Sequence, residues 1–189
     1  MSGRCAPAGQ RPLPASRRIV GASRQTPGVT PQLPGRCQRL LKRQRGIIAS
    51  WQAESAGLQP RRIEMLLRSG RWQRVDYGVY AAFTGGLRTD AFLWAAVLRA
   101  GPQAVLSHET AGALYGILDH LSEKVHVTVP HERRLRPATG LVIHRSTRFL
   151  QVADLGLLPP RTQVEETVFD LTDAAVDFDS VVTCTFSLR

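Results

Sequence analysis

Apolar residues recur with helical spacing in two short stretches before position 57. The first predicted helix covers residues 39–45. The second covers residues 51–56, and Ser50 precedes it as an N-cap whose hydroxyl can accept from the first free backbone N–H groups. Gly57 follows at the position where a left-handed residue commonly ends a helix. The pattern therefore predicts two helices in quick succession.

A third helix and a hairpin follow directly. Pro60 lacks an N–H and suits the first helical position, and Gly70 closes the helix. Residues 71–83 then alternate around Asp76-Tyr77-Gly78, where Gly78 can adopt a positive φ, and this predicts a β-hairpin. Helix, turn, helix and hairpin in this order are typical of a winged helix-turn-helix, a fold that places a helix in the DNA major groove.

The third helix divides into two faces. Ile63, Leu66 and Leu67 fall at i, i+3 and i+4, so we expect them to pack inward. Charged side chains occupy the opposite face, where they either contact DNA or form an ordinary solvated surface. On this helix alone the two interpretations are even, but the arginines of the adjoining hairpin favour DNA, because a wing meets phosphates there. The predicted DNA-binding residues are Gln59, Arg61, Arg62, Met65, Arg68, Arg71 and Arg74.

Helical spacing and strand-like alternation of apolar residues both recur after position 88. A helix is predicted over residues 90–100, and another runs from Ser107, as its cap, to about residue 117. Residues 124–130 and 141–146 alternate and are predicted to form an antiparallel strand pair. A last helix starts near residue 162, with one apolar side formed by Val164, Val168, Leu171, Ala174 and Ala175.

The predicted class is therefore α+β in two domains. A winged helix-turn-helix covers residues 37–84, and a small second domain with helices and the antiparallel strand pair covers residues 88–180. Residues 1–36 are rich in proline and arginine without periodicity, which predicts a disordered basic arm. Residues 181–189 are predicted to be an irregular tail, which a truncation or frameshift would explain.

The net charge of +10 is unevenly distributed. Residues 1–36 hold six arginines and no acidic residue, residues 37–88 carry a net charge of +7, and the remainder carries −3. A basic end joined to a neutral or acidic body is the charge distribution expected of a DNA-binding protein.

Composition excludes several other classes. The chain has no run of eighteen apolar residues and no secretory signal, so a cytoplasmic location without a membrane partner is predicted. Cys5, Cys37 and Cys184 are widely separated, which argues against a disulfide framework or a cysteine zinc site.

The histidines and carboxylates lack the spacing of a catalytic or metal site. His108 begins a helix, His126 and His144 lie on different strands, and no two stand at i and i+4, so packed or hydrogen-bonded roles are expected. The last helix carries a solvated acidic face but no lysine follows it, unlike a nuclease site. The members of this acidic face are Glu166, Asp170, Asp173 and Asp177. The sequence thus predicts no catalytic residue, no metal site, no cofactor and no enzyme activity.

Several segments carry a resemblance to a known family. In the first part they are Gly46-Ile47-Ile48, Ala56-Gly57-Leu58 and residues 63–72, and in the second part residues 104–116 and 142–146. Across about residues 38–180 the chain resembles the AbiEi family of antitoxins from type IV toxin–antitoxin systems. Longer relatives continue into an endonuclease-like fold, and this chain ends where that region would begin.

The resemblance implies a transcriptional regulator that binds double-stranded operator DNA and represses its own toxin–antitoxin operon. It also implies a functional link to a nucleotidyltransferase-like toxin without a stable complex. Two alternatives stay open: a truncated, inactive relative of an endonuclease-like protein, and a protein-interaction module whose acidic second part binds a partner.

Overall fold

The computed structural model describes residues 33–135 and 138–174, and this part of the chain forms seven helices and two β-sheets. The predicted α+β class is confirmed. The helices are α1 Gly35–Arg43, α2 Ser50–Ser55, α3 Pro60–Arg68, α4 Thr89–Ala100, α5 His108–Tyr115, α6 Phe149–Val152 and α7 Val164–Ala174. The strands are β1 Ile47–Ala49, β2 Gln73–Asp76, β3 Val79–Ala81, β4 Val105–Leu106, β5 Val125–Pro130, β6 Leu141–Ser146, β7 Ala153–Asp154 and β8 Arg161–Thr162.

The first sheet is small, and two of its strands, β1 and β3, are buried on both faces. Its strand order is β1-β3-β2, with antiparallel pairing throughout. Ile48 and Tyr80 face a core formed with α1, α2 and α3. The neighbouring residues Ile47 and Val79 point to the other side and pack against α4. Because side chains alternate along a strand, three buried residues in succession require a helix layer on each face.

Helix α3 is held by one apolar side. Ile63 and Leu66 are buried in the same core as Trp72, and Leu67 packs at its edge. Pro60 occupies the first turn, and Gly70 has a φ of 66° just past the end. The predicted inward face of this helix is therefore confirmed, as is the hairpin turn at Gly78, whose φ is 68°.

Helix α4 packs against both sheets. Trp94 and Leu98 contact the first sheet, whereas Leu93 and Val97 contact the second. The helix ends at Ala100, as predicted, and Gly101 follows with a φ of 92°. Because α4 contributes to two cores, the first sheet is connected to the second sheet through continuous apolar packing.

The second sheet has the strand order β6-β5-β4-β8-β7. Its core contains Leu106, Val125, Val127 and Val129. Helix α5 is fastened to this sheet by the Thr110 hydroxyl, which accepts from the His126 backbone N–H at 2.9 Å. Helix α7 lies against α5 so closely that a Cβ on Gly112 would meet Leu171 at 2.9 Å. The second half of the protein is therefore a helix pair on one sheet.

The predicted antiparallel strand pair is wrong, because β5 and β6 run parallel from Val125↔Leu141 to Pro130↔Ser146. The prediction assumed a hairpin, but the connection over residues 131–140 is long enough to return the chain to the start of β5. A six-residue strand spans about 20 Å, and ten extended residues reach about 33 Å. The antiparallel neighbour of β5 is β4 instead.

The starts of the first two helices also differ from the prediction. Helix α1 begins at Gly35, and Leu33 is buried, so residues 33–36 belong to the folded part and not to the predicted arm. Residues 1–32 of that arm lie outside the described residues. Ser50 is the first residue of α2 rather than its cap, and the Gln52 side chain accepts from the Ala49 backbone N–H instead. Strand β1 takes up the residues before Ser50, and the sequence analysis did not predict it.

The predicted apolar side of α7 is partly wrong. Leu171 is buried as expected and Val164 and Val168 are half-buried, but Ala174 is exposed. The most buried residue is Thr167, whose hydroxyl lies 2.8 Å from that of Thr162. Ala175 and the tail over residues 181–189 lie outside the described residues. No helix within residues 33–135 and 138–174 is long and apolar enough to cross a bilayer.

Replacing Leu66 by alanine should strongly destabilise the protein, because this side chain is 1% exposed at the centre of the first core. The expected loss is about 2–5 kcal/mol in the free energy of unfolding. Met65→Ala is the matched control, since Met65 is the adjacent residue on α3 and is 44% exposed. Its cost should stay within about 0.5 kcal/mol. Denaturant unfolding of both variants measures the difference, and equal losses would contradict the packing of α3.

Candidate functional site

The outer face of α3 is a row of basic and polar side chains. Arg61, Met65 and Arg68 are exposed, and Arg62 is half-buried. Together with Gln59 and Glu64, they line an open surface depression of about 750 Å³. Since Ile63 and Leu66 are buried on the opposite side of the helix, these side chains lie on its solvent-facing side.

Few contacts restrain this face, which is here called the α3 face and comprises Gln59, Arg61, Arg62, Glu64, Met65 and Arg68. Arg62 donates to the Met65 sulfur at 3.7 Å. Arg68 and Glu64 form an ion pair at 3.6 Å, with side chains 83% and 62% exposed. Exposed pairs of this kind contribute little to stability, about 0–1 kcal/mol. The arginines are therefore available to a ligand.

Two further arginines lie at the hairpin: Arg71 just before β2 and Arg74 on β2. Arg71 and Arg74 are both exposed. The Arg74 guanidinium lies over the Tyr80 ring, 5.4 Å from its centroid, which gives this side chain a defined direction. Neither arginine lines the depression on α3. The structure thus groups five of the seven predicted residues on the α3 face and leaves these two beside it on the hairpin.

The hairpin turn is braced by α4. Arg99 forms an ion pair with Asp76 at 3.2 Å and lies 5.8 Å from the Tyr77 ring centroid. Tyr77 itself is 72% exposed. On the inner side, the Ser50 backbone N–H donates to the Gly78 carbonyl at 2.8 Å. These contacts therefore fix the backbone of the turn, and the Tyr77 side chain on it is exposed to solvent.

A second group of polar residues lies on the other sheet. His108 at the start of α5, His126 on β5 and His144 on β6 each place one ring nitrogen within 4.8 Å of the others. His126 Nδ1 and His144 Nε2 are 3.1 Å apart. The rings of His108 and His144 stack with centroids 3.5 Å apart. These three residues are here called the histidine cluster.

Two carboxylates border the histidine cluster. Asp170 Oδ2 lies 3.3 Å from His108 Nδ1, a nitrogen that is buried and has no well-aligned hydrogen-bond partner among the described residues. Glu109 Oε2 lies 3.8 Å from His126 Nε2. Asp170 and Glu166 have side chains only 23% exposed, so the predicted solvated acidic face is wrong for both. Asp173 is exposed, and Asp177 lies outside the described residues.

Burial is the main influence on the charges in this cluster. It lowers the pKa of His108 to about 3, helped by the neighbouring His144 and His126. Burial also lowers the pKa of His126 and of His144. Burial, followed by the nearby Glu166 carboxylate, raises the pKa of Asp170 to about 6. The three imidazoles are therefore neutral at neutral pH.

The backbone at the histidine cluster is strained. His108 has a φ of 48°, a left-handed conformation that costs a non-glycine residue on the order of 1–3 kcal/mol. Such strain persists only where surrounding structure fixes it, and here Ala111 N–H donates to the carbonyl of the buried Ser107 while Thr110 is bonded to β5. The Ser107 hydroxyl makes no cap hydrogen bond, so Ser107 is the predicted cap by position only.

The sequence analysis missed the histidine cluster because its members belong to three separate elements. Knowledge that the two strands are parallel would have brought two of the three histidines together, but alternation in the sequence does not give strand direction. His144 lies opposite Thr128, which shares a strand face with His126, so both histidines fall on one side of the sheet. The predicted antiparallel pairing did not place His126 and His144 on the same side of the sheet.

Compared with known proteins, the chain matches no protein-family model and no curated protein.

Proposed function

We propose that this protein is a winged-helix DNA-binding protein in which α3 is the recognition helix. The observation that carries the proposal is the α3 face, where three arginines and one methionine on the solvent side of the helix line a surface depression. Helix α3 has nine residues and is about 13 Å long, which suits a major groove about 12 Å wide.

The order of elements supports this proposal. Helix α1, strand β1, helices α2 and α3, and the β2–β3 hairpin follow one another, and the sheet has the order β1-β3-β2. In a winged helix, the second helix of the helix-turn-helix enters the groove and the hairpin lies beside it as the wing. Arg71 and Arg74 would then contact phosphates next to the base-reading helix.

The types of side chain support direct reading of bases. Arg61, Arg62 and Arg68 can each present a guanidinium fork to the O6 and N7 atoms of guanine, and Gln59 can pair with adenine. Met65 offers an apolar contact to a thymine methyl group. Phosphate contacts alone would need only positive charge, so a mixed face of this kind favours sequence-specific binding to double-stranded DNA.

The biological role that we propose is transcriptional regulation of the AbiEi-antitoxin kind. The operator would lie in the protein's own promoter, and the regulated operon would include a nucleotidyltransferase-like toxin. This step depends on the sequence resemblance, whereas the DNA-binding step depends on the α3 face.

Arg61→Ala and Arg68→Ala should each weaken DNA binding while leaving the fold intact. A base-contacting arginine is worth about 1–3 kcal/mol of binding free energy and its loss relaxes preference at one position. Arg134→Ala is the matched control, because it removes the same charge from an exposed residue of the connection between β5 and β6. Fluorescence anisotropy with a promoter duplex, paired with thermal melts, measures both effects. Wild-type affinity in folded Arg61 and Arg68 variants would refute the recognition-helix assignment.

DNA affinity should fall steeply with salt, because cations condensed on the phosphates are released on binding. If about four to six phosphates are neutralised, log K against log salt should have a slope of about −4 to −5. An anisotropy series over increasing sodium chloride gives this slope. A flat dependence would exclude a binding mode based on the basic end of the chain.

Glu64→Gln should strengthen DNA binding. Glu64 is the one acidic member of the α3 face, its side chain is 62% exposed, and it pairs with Arg68. Removal of the Glu64 charge releases the Arg68 guanidinium from the ion pair and ends the repulsion between this carboxylate and the DNA phosphates. DNA affinity should therefore rise about two- to tenfold, and by less at high salt. Glu54→Gln serves as the control, because Glu54 is an exposed residue of α2 outside the α3 face. An unchanged or weaker affinity for Glu64→Gln would place the DNA elsewhere.

A further inference from the structure

We propose that the histidine cluster, formed by His108, His126 and His144, is a binding site for a divalent transition metal of the zinc type. The site is separate from the α3 face, and the proposal does not depend on DNA binding. It follows from the geometry of three rings, two flanking carboxylates and a strained backbone.

The distances fit a three-imidazole site after small movements. Ligand nitrogens around a tetrahedral zinc ion lie about 3.3 Å apart, because each lies about 2.0–2.1 Å from the metal. His126 Nδ1 and His144 Nε2 are already 3.1 Å apart, and all three ring nitrogens fall within 4.8 Å of one another. Binding of one ion by all three residues requires the stacked His108 and His144 rings to rotate, so that their nitrogens point to a common position.

The carboxylates occupy the positions of outer-sphere partners. Metal-binding histidines usually present their second ring nitrogen to a carboxylate, which fixes the tautomer and the ring direction. Asp170 lies beside Nδ1 of His108, which leaves Nε2 with the lone pair. Glu109 lies beside Nε2 of His126, which leaves Nδ1, the atom that faces His144. Two of the three rings thus have a carboxylate near one ring nitrogen, at 3.3 Å and 3.8 Å, and each carboxylate would need only a small movement to accept a hydrogen bond from it.

Simple packing does not account for this arrangement. A buried His108 with left-handed backbone and a ring nitrogen that lacks an aligned partner combines two unfavourable features at one residue. Such features cluster at functional sites.

The ligand type determines the class of metal. Neutral imidazoles suit zinc, copper, nickel and cobalt, whereas magnesium and calcium prefer oxygen ligands. Three protein ligands leave a fourth tetrahedral position for an exogenous ligand. An open groove of about 510 Å³ lies beside the cluster and is lined by Asp170, Glu166, Asp173 and Arg148 among others. Of these residues, Asp170 is the one whose carboxylate lies next to His108.

Zinc titration of the tag-free full chain, previously treated with EDTA, tests the proposal. Calorimetry should show one zinc ion per chain, and the melting temperature should rise with zinc but not with magnesium, because a ligand that binds only the folded state stabilises it. Cobalt should give the visible absorption of a tetrahedral complex.

Variants separate the cluster from adventitious surface binding. His144→Gln should weaken zinc binding by more than about tenfold. The double variant His120→Gln/His131→Gln, which removes two exposed histidines outside the cluster, should bind like the wild type. Glu109→Gln provides a variant that should fold normally, because its side chain is 45% exposed, and it should weaken zinc affinity by about 10–100-fold.

Three results would overturn the proposal. They are an absence of zinc binding by the folded wild-type chain, an unchanged affinity in both His144→Gln and Glu109→Gln, and a loss of binding in the His120/His131 double variant. Because none of these measurements uses DNA, they leave the proposed function of the α3 face unaffected.

Discussion

The structure depends on the burial of a small sheet on both of its faces. Strands β1 and β3 contribute six residues, all buried, to a sheet that is too short to form a core by itself. Helices α1 to α3 must cover one face and α4 the other, since neither face can be left in water. With Ile63 and Leu66 committed to this core, the arginines of α3 have only the solvent side available.

The same constraint links the two halves of the protein. Helix α4 is apolar around most of its circumference, and it is buried between the first and the second sheet. Its Arg99 side chain also reaches the hairpin turn and pairs with Asp76. The position of the hairpin relative to α3 is therefore determined by packing on both sides, which gives the two basic elements a fixed relation for contact with one ligand.

Local sequence patterns correctly predicted the features that depend only on residues close together in the chain. Pro60, Gly70 and Gly78 mark the ends of α3 and the hairpin turn, and the period of Ile63 and Leu66 gave the buried side of α3 correctly. The charge distribution indicated which end of the chain to examine, and five of the seven predicted residues share one surface.

The same patterns did not predict how strands distant in the sequence pair with each other. Alternation in residues 125–130 and 141–146 identifies strands but not their direction, and the parallel register of β5 and β6 depends on the path of the connection between them. That register brings His126 and His144 together, and α5 adds His108. Asp170 was predicted to be solvated for the same reason, because only tertiary packing shows that α5 lies against its side of α7.

The central claim is that α3 and the hairpin form one DNA-binding surface. Amide chemical-shift mapping by NMR, with a promoter duplex added to the labelled full chain at moderate salt, tests it most directly. The account predicts perturbations concentrated in residues 59–68 and 71–78, with the amides of β4, β5 and β6 unchanged. Perturbations confined to the second sheet would contradict this claim. So would the absence of any perturbation at a duplex concentration high enough to saturate a basic DNA-binding domain.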